Sequence, residues 1–278
     1  VISRGYRGKL EKRGGIVSDG ESIFMGPEDA GDEPYLMAKA LRGVPVLVGR
    51  HRYEVGMLAV KHFQPDVIIL DDAFQHLQLK RDLNLVLVDS KRPFGNGQLL
   101  PRGLLREPLS GLRRADAIVF TRSDPADLSS NPDGLPVQPK PVFALHTPVI
   151  RKIVPQPQVF SVHETDLSAL NGKHAVAFAG LADNDQFFAS LEQSGCLLEE
   201  TISFADHHRY RENDRERLVE AAEKNDVSLL ITTFKDYVKI EKWRVPINLV
   251  VIDITIKLAG NEEVFRNLIR KTVPSTKA

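Results

Sequence analysis

Pro65-Asp66-Val67-Ile68-Ile69-Leu70-Asp71-Asp72-Ala73-Phe74-Gln75-His76 is the stretch on which the fold turns. Val67 to Leu70 form a continuous apolar run, short enough for a strand and suited to burial on both faces of a parallel sheet. Asp71 and Asp72 then fall at the expected strand's carboxyl end, where open α/β sheets place their ligands. Two adjacent carboxylates suit a hard cation such as Mg²⁺, which takes oxygen ligands and shares them with phosphate. A lone Asp would read more simply as a turn or cap former. Two in a row, followed by Phe74, Gln75 and His76, favour a ligand site.

Working outward, the same pattern recurs. Val44 to Val48 reads as a strand, and Glu33–Leu41 and Tyr53–Phe63 read as helices, Pro34 lying near a helix start where proline is tolerated. Leu85 to Val88 is a buried strand closed by Asp89, and Ala117 to Phe120 another, followed by Thr121-Arg122-Ser123-Asp124. Strands separated by helices indicate a doubly wound α/β sheet. Residues 125–158 carry Pro125, Pro132, Pro136, Pro139, Pro141, Pro148, Pro155 and Pro157, which forbid regular helix and suggest an extended connector. A second α/β unit follows, with strands at Ala175–Ala179, Leu229–Thr232 and Ile247–Ile254 and helices at Phe187–Gln193 and Asp214–Glu223. The expected organisation is therefore an N-terminal domain over 1–124, a connector over 125–170 and a smaller C-terminal domain over 171–278.

The chain has 278 residues, 42% hydrophobic and 27% charged, the composition of an ordinary globular protein. No window approaches the ~18 consecutive apolar residues of a membrane span, and the opening residues do not resemble a signal peptide. The single cysteine, Cys196, excludes an internal disulfide and a cysteine metal cluster, and fits a reducing compartment. Net charge is zero, yet residues 1–122 hold 19 Lys and Arg against 15 Asp and Glu. Clustered guanidinium groups suit oxyanions. The imbalance is too small to imply nucleic acid, so an anionic small substrate is the more economical partner.

Five further segments carry candidate chemistry. Gly31-Asp32-Glu33-Pro34 makes a sensible helix start, with acids at the positive end of the dipole, and equally offers a proton acceptor beside a second acid. Phe94-Gly95-Asn96-Gly97, followed by Leu99 to Pro108, reads as a surface loop or as a phosphate-facing segment through Arg102 and Arg106. Ala205-Asp206-His207-His208 can supply a base or a helix cap; adjacent histidines point apart, so shared ligation of one metal is disfavoured. Thr121 to Asp124 and Thr233-Phe234-Lys235-Asp236 are weak signals. Trp243 and Phe187-Phe188 read as packing, or as an apolar surface that meets lipid.

Together these segments resemble the tetraacyldisaccharide 4′-kinase family of the lipid A pathway. The matching residues are Ser3–Tyr6 (SRGY), Gly31–Pro34 (GDEP), Asp71–His76 (DDAFQH), Phe94–Gly97 (FGNG), Leu105–Pro108 (LREP), Asp206–His208 (DHH) and Lys235–Lys239 (KDYVK), in the family's order. The resemblance implies α/β/α domains of the P-loop NTPase-like type. It also implies transfer of the ATP γ-phosphate to the 4′-hydroxyl of an acylated glucosamine disaccharide 1-phosphate, giving lipid IV-A. ATP and Mg²⁺ are the implied cofactors. Asp32, His207 and Arg106 are implied as catalytic, with Asp32 the base and His207 its partner. Arg4, Glu33, Gln75 and His76 would bind the cofactor, and Asp71 and Asp72 the metal. The chain departs from the family at Ala73, where glycine is usual, at Arg7-Gly8, and in having no G-x-x-x-x-G-K-[ST] segment. With Val1-Ile2-Ser3 beginning inside a strand-like fragment, an N-terminally incomplete member is expected. A four-chain acceptor further implies peripheral binding to an anionic surface at the cytoplasmic face of the bacterial inner membrane. The competing readings are a non-catalytic lipid- or partner-binding protein on this fold and a related ATPase with another small acceptor.

Overall fold

The computed structural model describes residues 1–123, 142–154 and 165–273. Its larger sheet is built from β4 (Leu85–Asp89), β5 (Ala117–Thr121), β6 (Val142–Val154), β8 (His174–Ala179), β9 (Leu197–Ser203), β10 (Leu229–Thr233) and β11 (Asn248–Ala259), with the short β7 (Thr165–Asp166) on β6. The order is β4-β5-β6-β11-β10-β8-β9. β4, β5 and β6 run parallel, as do β11, β10, β8 and β9, and the two parallel sets meet at the antiparallel β6–β11 pair.

Successive residues of β8 fall on opposite faces and both faces are covered. Ala175, Ala177 and Ala179 pack with Phe187, Phe188 and Leu191 of α4 (Asn184–Gln193). Val176 and Phe178 pack with Leu218, Ala221 and Ala222 of α5 (Glu212–Lys224). Burial on two sides is why such strands are apolar without alternation. Phe187 and Phe188 are core, and the half-buried Trp243 packs edge-on against Tyr210 at 5.9 Å beside the core.

A smaller sheet, ordered β1-β3-β2, holds β1 (Ile2–Ser3), β2 (Gly15–Ser18) and β3 (Val46–Val48). α3 (Arg52–Phe63) sets Val55 and Ala59 against Ile2 and Leu47. On the other side, Tyr35 and Ala38 of α2 (Asp32–Ala40) pack with Val17, Val46 and Val48, and with Val238 of α6 (Phe234–Ile240). Among the described residues the remaining α-helices are the single turn α1 (Pro27–Ala30) and α7 (Glu262–Thr272). Among the described residues no helix is long and apolar enough to cross a membrane.

Three expectations are corrected. Leu85–Val88 is a strand but not a buried one: as the edge strand β4 it has only Val88 buried, and Leu87 is 67% exposed. Val67–Leu70 is not a strand buried on both faces. Only Leu70 forms a bridge, parallel to Ile2, and Ile69 is 61% exposed. The segment runs along the outer edge of the small sheet, held by Ile2 N donating to Ile69 O (2.8 Å) and Asp71 N to Ile2 O (2.9 Å). Nor is residue range 125–170 a free connector where it is described, because Val142–Val154 is β6, at the centre of the large sheet. Pro148 is accommodated between the β5-paired residues 142–144 and the β7-paired residues 149–150, where no strand lies along that edge among the described residues. Asp124, 125–141, 155–164 and 274–278 lie outside the described residues.

Candidate active site

Asp32 is the first residue of α2, where a carboxylate is favoured by the helix dipole. The turn into it depends on Gly31, at φ +91°, whose missing Cβ would stand 3.0 Å from Tyr6 O. His207 arrives from the β9–α5 loop, itself in a left-handed conformation at φ +61°. Its Nδ1 lies 3.0 Å from Asp32 Oδ2, although the two residues are 175 positions apart. Its Nε2 faces Asp206 Oδ2 at 3.7 Å. His208 has different work: it stacks on Phe204 and its Nε2 meets Asp214 Oδ2 at 3.0 Å. Asp214 also accepts from Arg211 N at the start of α5, so His208 belongs to a helix cap.

Helix α6 contributes residues to which the sequence reading gave no role. Lys239 Nζ lies 3.2 Å from Asp32 Oδ2 and 3.6 Å from Asp236 Oδ1. Lys235 Nζ donates to Asp206 Oδ1 at 2.8 Å. Burial alone would raise the Asp206 carboxyl; the Lys235 ammonium and the neighbouring His207 outweigh it and hold Asp206 below its ordinary value. A lysine on a helix normally reads as solvated surface. The signals that were available are the match of Lys235–Lys239 to the family and the i, i+4 spacing of the two lysines, which puts both on one face.

The second group of residues gathers where the small sheet meets the 71–76 turn. Ser3 Oγ donates to Asp71 Oδ2 at 2.8 Å. Asp72, in the left-handed region at φ +44°, receives Arg106 NH1 on both carboxylate oxygens at 2.8 Å. The carboxylate raises the basicity of Arg106, first through this hydrogen bond and then through its charge, and Glu33 adds to the effect. Arg52 is buried beneath Asp71, donating to Gly49 O and Asp71 O, and its desolvation pulls its basicity down despite the charges of Asp71 and Asp72. Arg4 is tied to Glu11 at 2.7 Å, and its charge also bears on Arg52. Burial, followed by the charges of Arg52, Arg81 and His51, lowers the basicity of His76. Gln75 turns away to Glu107 Oε1 at 3.0 Å. Arg106, Glu33, Asp71, Asp72, Arg4 and His76 thus belong to one charged neighbourhood, with Asp32 next to Glu33. Sequence reading did not find Ser3 or Arg52 as its supports.

Metal capacity is modest. Among the described residues no group of three or more His, Cys, Asp or Glu side chains converges on a cation position. Mg²⁺ bound with substrate phosphates needs only one or two carboxylates, the rest of its shell being phosphate oxygen and water. Asp71, Asp72 and the Ser3 hydroxyl fit that requirement as an all-oxygen donor set.

A parallel α/β scaffold that brings acids and arginines together beside its strand ends is the layout of P-loop-type kinases, and that is the class this site defines. The family model described as tetraacyldisaccharide-1-P 4′-kinase (LpxK) matches residues 1–274. The tetraacyldisaccharide 4′-kinase of Desulfatibacillum aliphaticivorans is 47% identical over 247 residues, covering 87% of this chain and 66% of the relative. That of Geobacter metallireducens is 45% identical over 240 residues, covering 86% and 68%. The crystal structure of LpxK from Aquifex aeolicus in complex with ATP superposes with a TM-score of 0.72 at 33% identity, covering 98% of this chain and 78% of that one. The chain belongs to the tetraacyldisaccharide-1-phosphate 4′-kinase family, and spans about two thirds of the length of these two sequence relatives.

Proposed function

We propose that this chain carries the acceptor-activating and metal-binding parts of a kinase that phosphorylates the 4′-hydroxyl of tetraacyldisaccharide 1-phosphate, with ATP as donor and lipid IV-A as product. The observation that carries the reading is the Asp32–His207 pair at 3.0 Å, on a chain whose family is one of 4′-kinases. Asp32 takes the proton of the acceptor hydroxyl as its oxygen bonds to the γ-phosphorus. The bridging β–γ P–O bond breaks and its electron pair leaves with ADP. With Asp32 ionised, His207 donates from Nδ1 to Oδ2 and fixes the direction of the carboxylate. Arg106 is suited to the charge on the transferring group, since its NH1 already bonds both oxygens of Asp72 and the planar guanidinium offers further donors to phosphate. Asp71 and Asp72 would hold Mg²⁺, which supplies neutralisation of phosphate charge. Arg4, Glu33 and His76 line the nucleotide side in this reading. Gln75 needs to leave Glu107 to join them.

Asp32→Asn is expected to lower kcat by roughly 10²–10⁴-fold, the worth of general-base assistance, with the KM for ATP little changed. Transfer of label from γ-labelled ATP to the tetraacyldisaccharide 1-phosphate measures it, and parental turnover by the variant would overturn the assignment.

The acceptor's acyl chains also support peripheral binding at the cytoplasmic face of the inner membrane. Exposed Arg7, Arg13, Arg42 and Arg50 are available to anionic headgroups, each basic residue near the surface contributing about 1 kcal/mol. Co-sedimentation with vesicles containing anionic lipid should appear at low salt and fade as salt rises. Absence of binding at low salt would remove this part of the proposal.

A further inference from the structure

Beside the 71–76 turn lies an ion pair with no part in the proposed chemistry. The 3₁₀ segment Leu109–Arg114 follows directly on Arg106, Glu107 and Pro108, and its last residue reaches back to Glu107. Arg114 NH2 donates to Glu107 Oε1 at 2.8 Å and to Oε2 at 2.6 Å. The same guanidinium lies 4.7 Å from the centroid of the Phe74 ring, a contact favourable to a cation. Phe74 itself packs on the core of Val88, Ile118 and Phe120. Arg114 Nε is buried with no hydrogen-bond partner among the described residues, so ring and carboxylate set the place of the side chain. Gly111 leaves the room for this: a Cβ there would stand 2.5 Å from Glu107 Oε2 and 3.2 Å from Arg114 NH1. Burial alone would raise the Glu107 carboxyl; the hydrogen bonds from Arg114 and Gln75, with the charge of Arg114, hold it below its ordinary value.

Three side chains of the turn are thus met from one short stretch. Arg106 bonds Asp72, Arg114 lies on Phe74, and Glu107 accepts from Gln75. These contacts differ in firmness. Asp72 and Arg106 are both more than half exposed, and water screens their pairing, whereas the side chains of Arg114 and Glu107 are only 36% and 26% exposed. Gln75 can leave Glu107 without freeing it, because Arg114 still bonds both carboxylate oxygens. We propose that Arg114 is a positioning residue that, through Glu107 and Phe74, locks the 71–76 turn to the segment carrying Arg106 and so fixes Asp71, Asp72 and Arg106 relative to one another. The inference rests on the reading of those three residues as the metal and phosphate groups.

The test compares Arg114→Met and Arg114→Lys with the parent, and with Arg113→Met as a control for loss of a neighbouring, exposed basic residue. Two quantities are read. One is amide exchange over residues 71–76 in the metal-free protein, where His76 N donates to Ala73 O at 2.9 Å. The other is the KM for Mg²⁺–ATP beside the KM for the acceptor. Arg114→Met should speed exchange roughly tenfold and raise the KM for Mg²⁺–ATP by roughly 10–100-fold, the worth of a charge-assisted hydrogen bond, with the acceptor KM unchanged. Arg114→Lys keeps a charge against Glu107 but not the planar fork, and should fall between the two. Arg113→Met should match the parent in both measurements. Parental exchange or a parental KM for Mg²⁺–ATP in folded Arg114→Met overturns the proposal, as does a loss confined to the acceptor KM or an equal change in Arg113→Met. Parental turnover in Asp72→Asn overturns the reading of the metal pair, while the exchange measurement still decides whether Arg114 holds the turn. If Arg114→Met does not fold, Arg114→Lys carries the same measurements. Failure of both to fold counts against the proposal, since it marks Arg114 as a residue of the fold alone.

Discussion

Asp72 and Arg106 illustrate how little a residue's stability contribution says about its chemical contribution. Their side chains are 60% and 59% exposed, so the ion pair is worth little to folding despite its two 2.8 Å hydrogen bonds. If Asp72 serves Mg²⁺, Asp72→Asn should lower turnover about a hundredfold or more, since a bound metal supplies several kcal/mol of charge stabilisation. The melting temperature should stay within experimental error of the parent. A variant with parental kcat at saturating Mg²⁺–ATP would remove Asp72 from the metal set. The paired acids, the Gly31–Pro34 start and the Asp206–His208 segment were all legible in the sequence as places where chemistry is possible. That Asp32 and His207 meet was legible only through family resemblance, because nothing local in either segment encodes a contact 175 residues away. Lys239 lay within the matching Lys235–Lys239 segment, but its burial was not legible there, for a different reason. Burial of a charged side chain is decided by which helix face is covered, and that is a tertiary property.

The α1–α2 turn and the start of α6 are the elements that aim the site. Gly31→Ala would place a Cβ at 3.0 Å from Tyr6 O while keeping a φ of +91° that L residues avoid. A loss of about 1–3 kcal/mol in unfolding free energy is expected, readable by urea titration. Activity should fall further than stability, because Asp32 is the next residue. The salt bridge from α6 to the β9–α5 loop predicts a pH dependence. Asp206 is held below its ordinary value, about 3.9, against the opposing pull of burial. Its contribution to stability is thus complete above that ordinary range and is lost as pH falls through the lower folded value. Melting temperature measured from neutral pH downward should show a smaller acid loss in Asp206→Asn than in the parent. An identical loss would mean that other carboxylates dominate. Among elements, the strands buried on two faces were legible because continuous apolar runs leave few alternatives. Val67–Leu70 misled for the same reason: its run is apolar, yet it lies at an edge with one partner. β6 was unreadable because the surrounding prolines weigh against a central strand, and only the gap between its β5 and β7 partners makes Pro148 tolerable.

Across the whole molecule, α2 is fastened to α6 by more than the site. Tyr35 Oη donates to Glu241 Oε1 at 2.8 Å and Lys39 Nζ to Glu241 Oε2 at 2.9 Å, beside the shared core of Tyr35, Ala38 and Val238. Glu241→Ala should therefore speed amide exchange in both helices together, and unchanged protection would show that the apolar packing alone holds them. Asp32 and His207 thus meet beside a packed contact between α2 and α6. The β6–β11 pair has a further consequence, for biosynthesis. Eleven register partners join these strands, yet β11 begins only at Asn248, long after Val154 has been made. At ribosomal speeds the interval is on the order of 10 s. Throughout it, a thirteen-residue strand with Phe143 and Ile150 ready for burial has one edge unsatisfied. Such an edge is a template for pairing with another chain, so the nascent protein is most exposed to misassembly after its first parallel set has formed. Release from that hazard comes when the last strand arrives, and deletions that remove β11 should yield aggregates rather than a smaller folded kinase fragment.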